Sequence, residues 1–147
     1  MSLSDKIDAD LKQAMIAKDE ARLSTIRMLK SAVKYVAIEK SGPLGDADIL
    51  QVIQKQIKQR KESIQQFKDG GRLDMAAKEE NEARILEGYL PKQMGQEELK
   101  NFVDQEVKAQ GASTKKDFGR MMKHLTEKLA GGADSKRVSE LLGGILK

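Results

Sequence analysis

The stretch Ile85-Leu86-Glu87-Gly88-Tyr89-Leu90-Pro91-Lys92-Gln93-Met94-Gly95 closes one helical pattern and precedes another with different spacing. Pro91 has no backbone N–H to donate and pushes Leu90 out of the α region, so the helix carrying Leu86 must end at about Tyr89. Gly95 is a tolerable N-cap. Glu97 and Glu98 follow in the first turn, where negative charge is favoured. Residues 88–95 therefore read as a hinge between an N-terminal helical domain, 1–91, and a C-terminal module, 95–147. Such a joint either aims one part against the other or is locked by Tyr89 and Leu90 packing into an interface.

Upstream of the joint, Leu3, Ile7, Leu11, Ala14 and Met15 recur at helical spacing behind Ser2 or Ser4 as caps. After the turn Lys18-Asp19-Glu20, a second stripe runs through Leu23, Ile26, Leu29, Val33 and Val36. A turn this short predicts an antiparallel pair. Burying each large apolar side chain contributes roughly 1.5–3 kcal/mol, too little for one stripe to offset the entropy of ordering its helix, so the pair must dock on further helices. Ser41-Gly42-Pro43-Leu44-Gly45 breaks the chain and Asp46 is placed to cap a long third helix. Ile49, Ile53, Ile57, Ile64 and Phe67 predict its buried face, and Lys55, Lys58, Arg60, Lys61 and Lys68 its decorated one. Gly70 or Gly71 can take the left-handed C′ conformation. The fourth helix then returns through Leu73, Ala76, Ala77, Ala83, Leu86 and Leu90 with an excess of acids, complementing the basic third helix.

Downstream, Leu99, Phe102, Val103 and Val107 mark a fifth helix. Thr114-Lys115-Lys116-Asp117 reads as a capping box for a sixth, with Phe118, Met121, Met122, Leu125 and Leu129 inward. Gly131-Gly132 stops it, and Asp134 caps a seventh whose inward face is Val138, Leu141, Leu142, Ile145 and Leu146. The fold class is all-α: N-terminal antiparallel helical hairpins followed by a small three-helix C-terminal module. Composition agrees, because helix formers dominate, aromatic residues are 3%, and prolines number two.

The 147 residues contain no Cys, which excludes disulfides and thiolate metal sites, and no apolar run suited to a membrane span or a signal peptide. A cytoplasmic protein without membrane association is the default expectation. No metal-ligand spacing and no phosphate-cradling glycine loop appear, so neither cofactor nor metal is expected. His124 is the single histidine and is flanked by Arg120, Lys123 and Lys128 away from the apolar face, which suits a solvated or phosphate-contacting imidazole better than a catalytic base. No catalytic residue is identified. Two basic clusters remain: Lys55, Lys58, Arg60 and Lys61 on the third helix, and Lys115, Lys116, Arg120, Lys123, His124, Lys128, Lys136 and Arg137 on the last two. The second is the candidate nucleic-acid-binding set. It would meet backbone rather than bases, since no aromatic residues interleave with it. A solvated basic face is the bland alternative.

Several runs together resemble the YqeY-like family (GatB/YqeY domain). They are Leu11-Lys12-Gln13-Ala14-Met15, Arg22-Leu23-Ser24-Thr25-Ile26-Arg27, Gln56-Ile57-Lys58-Gln59-Arg60, Gly71-Arg72-Leu73-Asp74-Met75-Ala76, Tyr89-Leu90-Pro91-Lys92-Gln93, and Asp117-Phe118-Gly119-Arg120-Met121-Met122. The resemblance implies a two-part helical protein similar to the tail domain of the GatB subunit of tRNA-dependent amidotransferase, where the tail helps engage tRNA and the chemistry resides elsewhere. It also implies, through family relation alone, carbon-nitrogen ligase activity with glutamine as amido-N-donor. No residue here matches an activated nucleophile for that reaction. Gly95 departs from the Ser or Thr expected before the fifth helix. The expected partners are tRNA or another RNA and an amidotransferase-type complex. The alternative is a protein interaction module docking through the hairpin from Asp46 to Leu90.

Overall fold

The computed structural model describes residues 2–146 and is all-α. Helices α1 (Leu3–Ala17), α2 (Glu20–Glu39), α3 (Asp46–Asp69) and α4 (Leu73–Glu87) precede the joint. Helices α5 (Gln96–Ala109), α6 (Phe118–Leu129) and α7 (Ser135–Ile145) follow it, with a 3-10 turn at Lys115–Asp117 leading into α6. Contacts divide the chain into two compact units, one ending at Leu90 and the other beginning at Pro91. No helix of the described residues is long and apolar enough to cross a membrane.

In the first unit, Ser2 caps α1 by accepting the Asp5 N–H at 3.1 Å, while the Asp5 carboxylate accepts the Ser2 N–H at 3.4 Å. Lys18 ends that helix in the left-handed region, φ 55°, and Asp19 caps α2 through the Arg22 N–H at 3.2 Å. Asp46 does not cap its own helix: its carboxylate accepts from the backbone of Leu3 at 3.1 Å, tying the start of α3 to the start of α1. α3 packs on α4 more extensively than any other pair, α1 packs on α2, and α2 touches both α3 and α4. The core joins Ile7, Ile26, Leu29, Ile49, Val52, Ile53, Ile57 and Leu86, with Tyr89 and Leu90 packed against it.

That core lies toward the start of α3 and the end of α4, and this explains three departures from the apolar pattern. Leu73 opens α4 at the opposite end and is 66% exposed. Ile64 and Phe67 are only half-buried, and Met15, near the end of α1, is exposed.

In the second unit, α5, α6 and α7 surround Leu99, Val103, Val107, Met121, Leu125, Val138, Leu142 and Leu146. Asp134 caps α7 through the Lys136 N–H at 2.9 Å. α6 stops one residue before its glycines, at Ala130, which takes a left-handed φ of 46°. The segment after Pro91 is sewn to the same unit: the Met94 N–H donates to the Gly132 carbonyl at 2.9 Å, and the Gln93 side-chain amide donates to the Gly131 carbonyl at 2.8 Å.

Candidate functional site

The basic set predicted on the last two helices divides into two groups. Lys115 and Lys116 are exposed in the 3-10 turn, Lys123 is exposed on α6 and Lys136 on the first turn of α7, and none of these four ammonium groups has a carboxylate partner among the described residues. The other four are committed. Lys128 Nζ donates to Glu106 Oε1 at 2.5 Å and His124 Nε2 meets Glu106 Oε2 at 2.7 Å. Arg120 donates to Asp117 at 3.3 Å. Arg137 donates through Nε to Gln96 and through Nη2 to the Met94 carbonyl, each at 3.2 Å. The imidazole is therefore a half-buried link between α6 and α5, and not the free phosphate-contacting group its surface position suggested.

Glu106, which pairs with two members of the predicted basic set, is a residue that the apolar reading of α5 did not single out. It lies on α5 with Leu99 and Val103 at i, i+4, i+7, an acid inside an apolar stripe, and that spacing was the available signal. Its carboxyl is held below the ordinary glutamate value by the hydrogen bond from Lys128 and then by that from His124. Asp117 is lowered too. The backbone N–H groups of Ser113 and Thr114, at 3.0 and 3.3 Å, contribute most, and Arg120 adds to them. This carboxylate fixes the turn that presents Lys115 and Lys116.

The α3 cluster also changes. Lys55, Lys58 and Lys61 are exposed, but Arg60 is 5% exposed and ion-paired with the equally buried Glu82 and, at 3.0 Å, with Glu79. Its Nη2 also contacts the Met28 sulfur at 3.6 Å, and its Nε has no hydrogen-bond partner among the described residues. The reason is periodicity: Arg60 follows Ile53 and Ile57 at i+7 and i+3, on the buried face. Glu82 precedes Leu86 by four residues on α4 in the same manner.

Near the joint, the Tyr89 hydroxyl donates to Asp10 at 2.7 Å and Lys6 Nζ stands 5.5 Å from its ring centroid. Desolvation pushes the phenol well above the ordinary tyrosine value, and the Asp10 contact pushes it further. An open depression of about 240 Å³ lies among Ser4, Ile7, Asp8, Lys30, Val33, Lys34 and Ile49, bridged at its rim by the 2.7 Å Lys30–Asp8 pair. Among the described residues no group of three or more His, Cys, Asp or Glu side chains is arranged to hold a metal ion. His124 contacts a carboxylate, with no nucleophile hydrogen-bonded to it among those residues.

Three curated yeast proteins, each named "Altered inheritance of mitochondria protein 41, mitochondrial", are similar to this chain. The one from Lachancea thermotolerans is 43% identical over 82 residues, covering 55% of this chain and 44% of the relative. That from Saccharomyces cerevisiae strain YJM789 is 39% identical over 103 residues, covering 69% and 55%. The one from Vanderwaltozyma polyspora is 39% identical over 82 residues, covering 55% and 44%. The chain thus spans about half the length of the curated relatives it matches. Their names speak of mitochondria and overturn the cytoplasmic expectation, which rested on the lack of Cys and of a signal segment. Neither feature separates the cytosol from other reducing compartments. The family model described as "Yqey-like protein" matches residues 4–146, nearly the whole described chain, and the chain belongs to the YqeY-like family.

Proposed function

We propose that this chain is a non-catalytic helical protein that associates with RNA, tRNA in the first instance, through the phosphate backbone. The observation that carries the reading is the set of four exposed lysines, Lys115, Lys116, Lys123 and Lys136, which lack carboxylate partners among the described residues, while Arg120, His124, Lys128 and Arg137 of the same predicted set are held by neighbours. Free ammonium groups neutralise phosphates and release counterions, whereas groups already paired with carboxylates contribute little. The second unit also carries most of the +4 net charge of the chain. Among the described residues no metal cluster is arranged and no nucleophile is hydrogen-bonded to His124, and an accessory role beside a glutamine-dependent amidotransferase suits them better than amide transfer by the chain alone.

The test is an electrophoretic shift of a tRNA transcript by the full chain, at fixed salt, with an anionic polymer lacking RNA shape as competitor. Binding that survives the polymer and is lost when Lys115, Lys116, Lys123 and Lys136 are replaced by Ala supports the reading. Absence of a shift by the unmodified chain contradicts it. For the accessory role, co-purification with an amidotransferase complex is expected to vanish after nuclease treatment if RNA bridges the two.

A further inference from the structure

The most conspicuous feature that the RNA reading leaves unused is the solvent face of α2. Met28, Tyr35 and Ile38 are 52%, 65% and 69% exposed. With Ser24 and Ser31, which are also exposed, they form one line at i, i+4, i+7, i+11 and i+14. The opposite side of the helix is spent on the core through Ile26, Leu29 and Thr25. Within the line, the Met28 sulfur is contacted by the buried Arg60.

The charges of α2 are distributed unevenly around this line. Arg22 pairs with Asp10 at 3.6 Å, Lys30 with Asp8 at 2.7 Å, and Lys40 beyond the helix end with Asp48 at 3.1 Å. Arg27 and Lys34 border the apolar line, and among the described residues neither has a carboxylate partner. The unmatched cations of the helix are the two that flank its unmatched apolar residues. They are seven residues apart, about 10 Å along the axis, which is the spacing of acids two turns apart on a facing helix.

We propose that this face of α2 is a docking surface for an acidic amphipathic helix of a partner protein. Met28, Tyr35 and Ile38 take the partner's apolar stripe, and Arg27 and Lys34 take carboxylates two turns apart on its edge. Ser24 and Ser31 leave low points in the line, so the partner's side chains can seat between the large residues and the axes approach closely. From Met28 to Ile38 the line spans about 15 Å, or nearly three helical turns of a partner. An RNA backbone fits this surface less well, since a line of large apolar side chains bordered by only two unpaired cations offers little to a run of phosphates. A lipid surface is also disfavoured, because the serines interrupt the apolar run. The proposal stands apart from the RNA reading, which uses the other unit.

The experiment uses the isotope-labelled full chain and two synthetic helical peptides with the same Leu stripe, one flanked by Glu and one by Lys. A tRNA transcript and vesicles of anionic phospholipid are further titrants. The expected result is saturable binding of the acidic peptide, with amide shifts centred on Met28 to Ile38. Affinity should fall by about tenfold or more in the doubly charge-reversed chain, Arg27→Glu with Lys34→Glu. Both positions are exposed, and an unchanged circular dichroism spectrum verifies folding. Equal binding of both peptides, binding of neither, or larger shifts at these residues from tRNA or vesicles would each overturn the proposal.

Discussion

At Glu106 one carboxylate engages two of the basic side chains of the C-terminal unit. It holds Lys128 and His124 together, and its acidity is raised by both contacts. A depressed carboxyl stabilises the fold fully above its unfolded value, about pH 4.3, and loses that contribution as pH falls toward the folded value. Glu106→Gln is therefore expected to lower the melting temperature at neutral pH, with the gap to the unmodified chain closing as the buffer is taken below about pH 4.3. Thermal melts across the acid range check this; a gap that stays constant with pH would refute it. Tyr89 gives a second case. Tyr89→Phe removes the bond to Asp10 and is expected to cost about 1 kcal/mol in urea unfolding. An alkaline absorbance titration is expected to lose, in this variant, an ionisation lying above the ordinary tyrosine range. The spacing of α5 puts Glu106 in its apolar stripe and the Pro91 break puts Tyr89 at the end of α4, but a partner eighteen or seventy-nine residues away is a tertiary fact that neither signal carries.

Among the elements, α3 shows where a period decides more than a residue type. Its apolar face is legible through Ile49, Ile53 and Ile57. The next place on that face belongs to Arg60, whose charge suggests solvent although its position dictates burial. Arg60→Ala leaves Glu82 buried without its counter-charge and is expected to cost about 3–5 kcal/mol, whereas replacing Arg60 and Glu82 together by Met and Leu should cost far less. Urea unfolding of the two variants tests this, and equal losses would contradict the assignment of a buried pair. The end of α6 offers the opposite sign. Ala130 sits at φ 46°, where a Cβ is unfavourable, so Ala130→Gly is expected to stabilise by about 1 kcal/mol in thermal unfolding. The glycines at 131 and 132 announced a helix stop correctly, but which residue takes the left-handed turn depends on how α6 meets the next segment. Leu73 and Met15 departed from their apolar pattern for a related reason, since a stripe can extend past the neighbours that would cover it.

For the molecule as a whole, the all-α class followed from helix formers, capping residues and the Pro91 break, all local properties of the chain. The N-terminal unit builds its core from four helices and balances its charges. The C-terminal unit builds a smaller core from three and carries the excess of cations. The candidate surface was less legible, because a list of Lys, Arg and His does not reveal which of them the fold neutralises. The proposed RNA contact requires that the uncommitted lysines, and not the paired side chains, meet the phosphates. Its most direct test is the salt dependence of tRNA binding by the full chain, compared for two variants of equal fold. One carries Lys115→Ala, Lys116→Ala, Lys123→Ala and Lys136→Ala, and the other carries Arg120→Ala with His124→Ala. The first is predicted to flatten the slope of log affinity against log salt by roughly one for each lysine that meets a phosphate, and the second to leave it unchanged. A flattened slope in the second variant with none in the first would contradict the account.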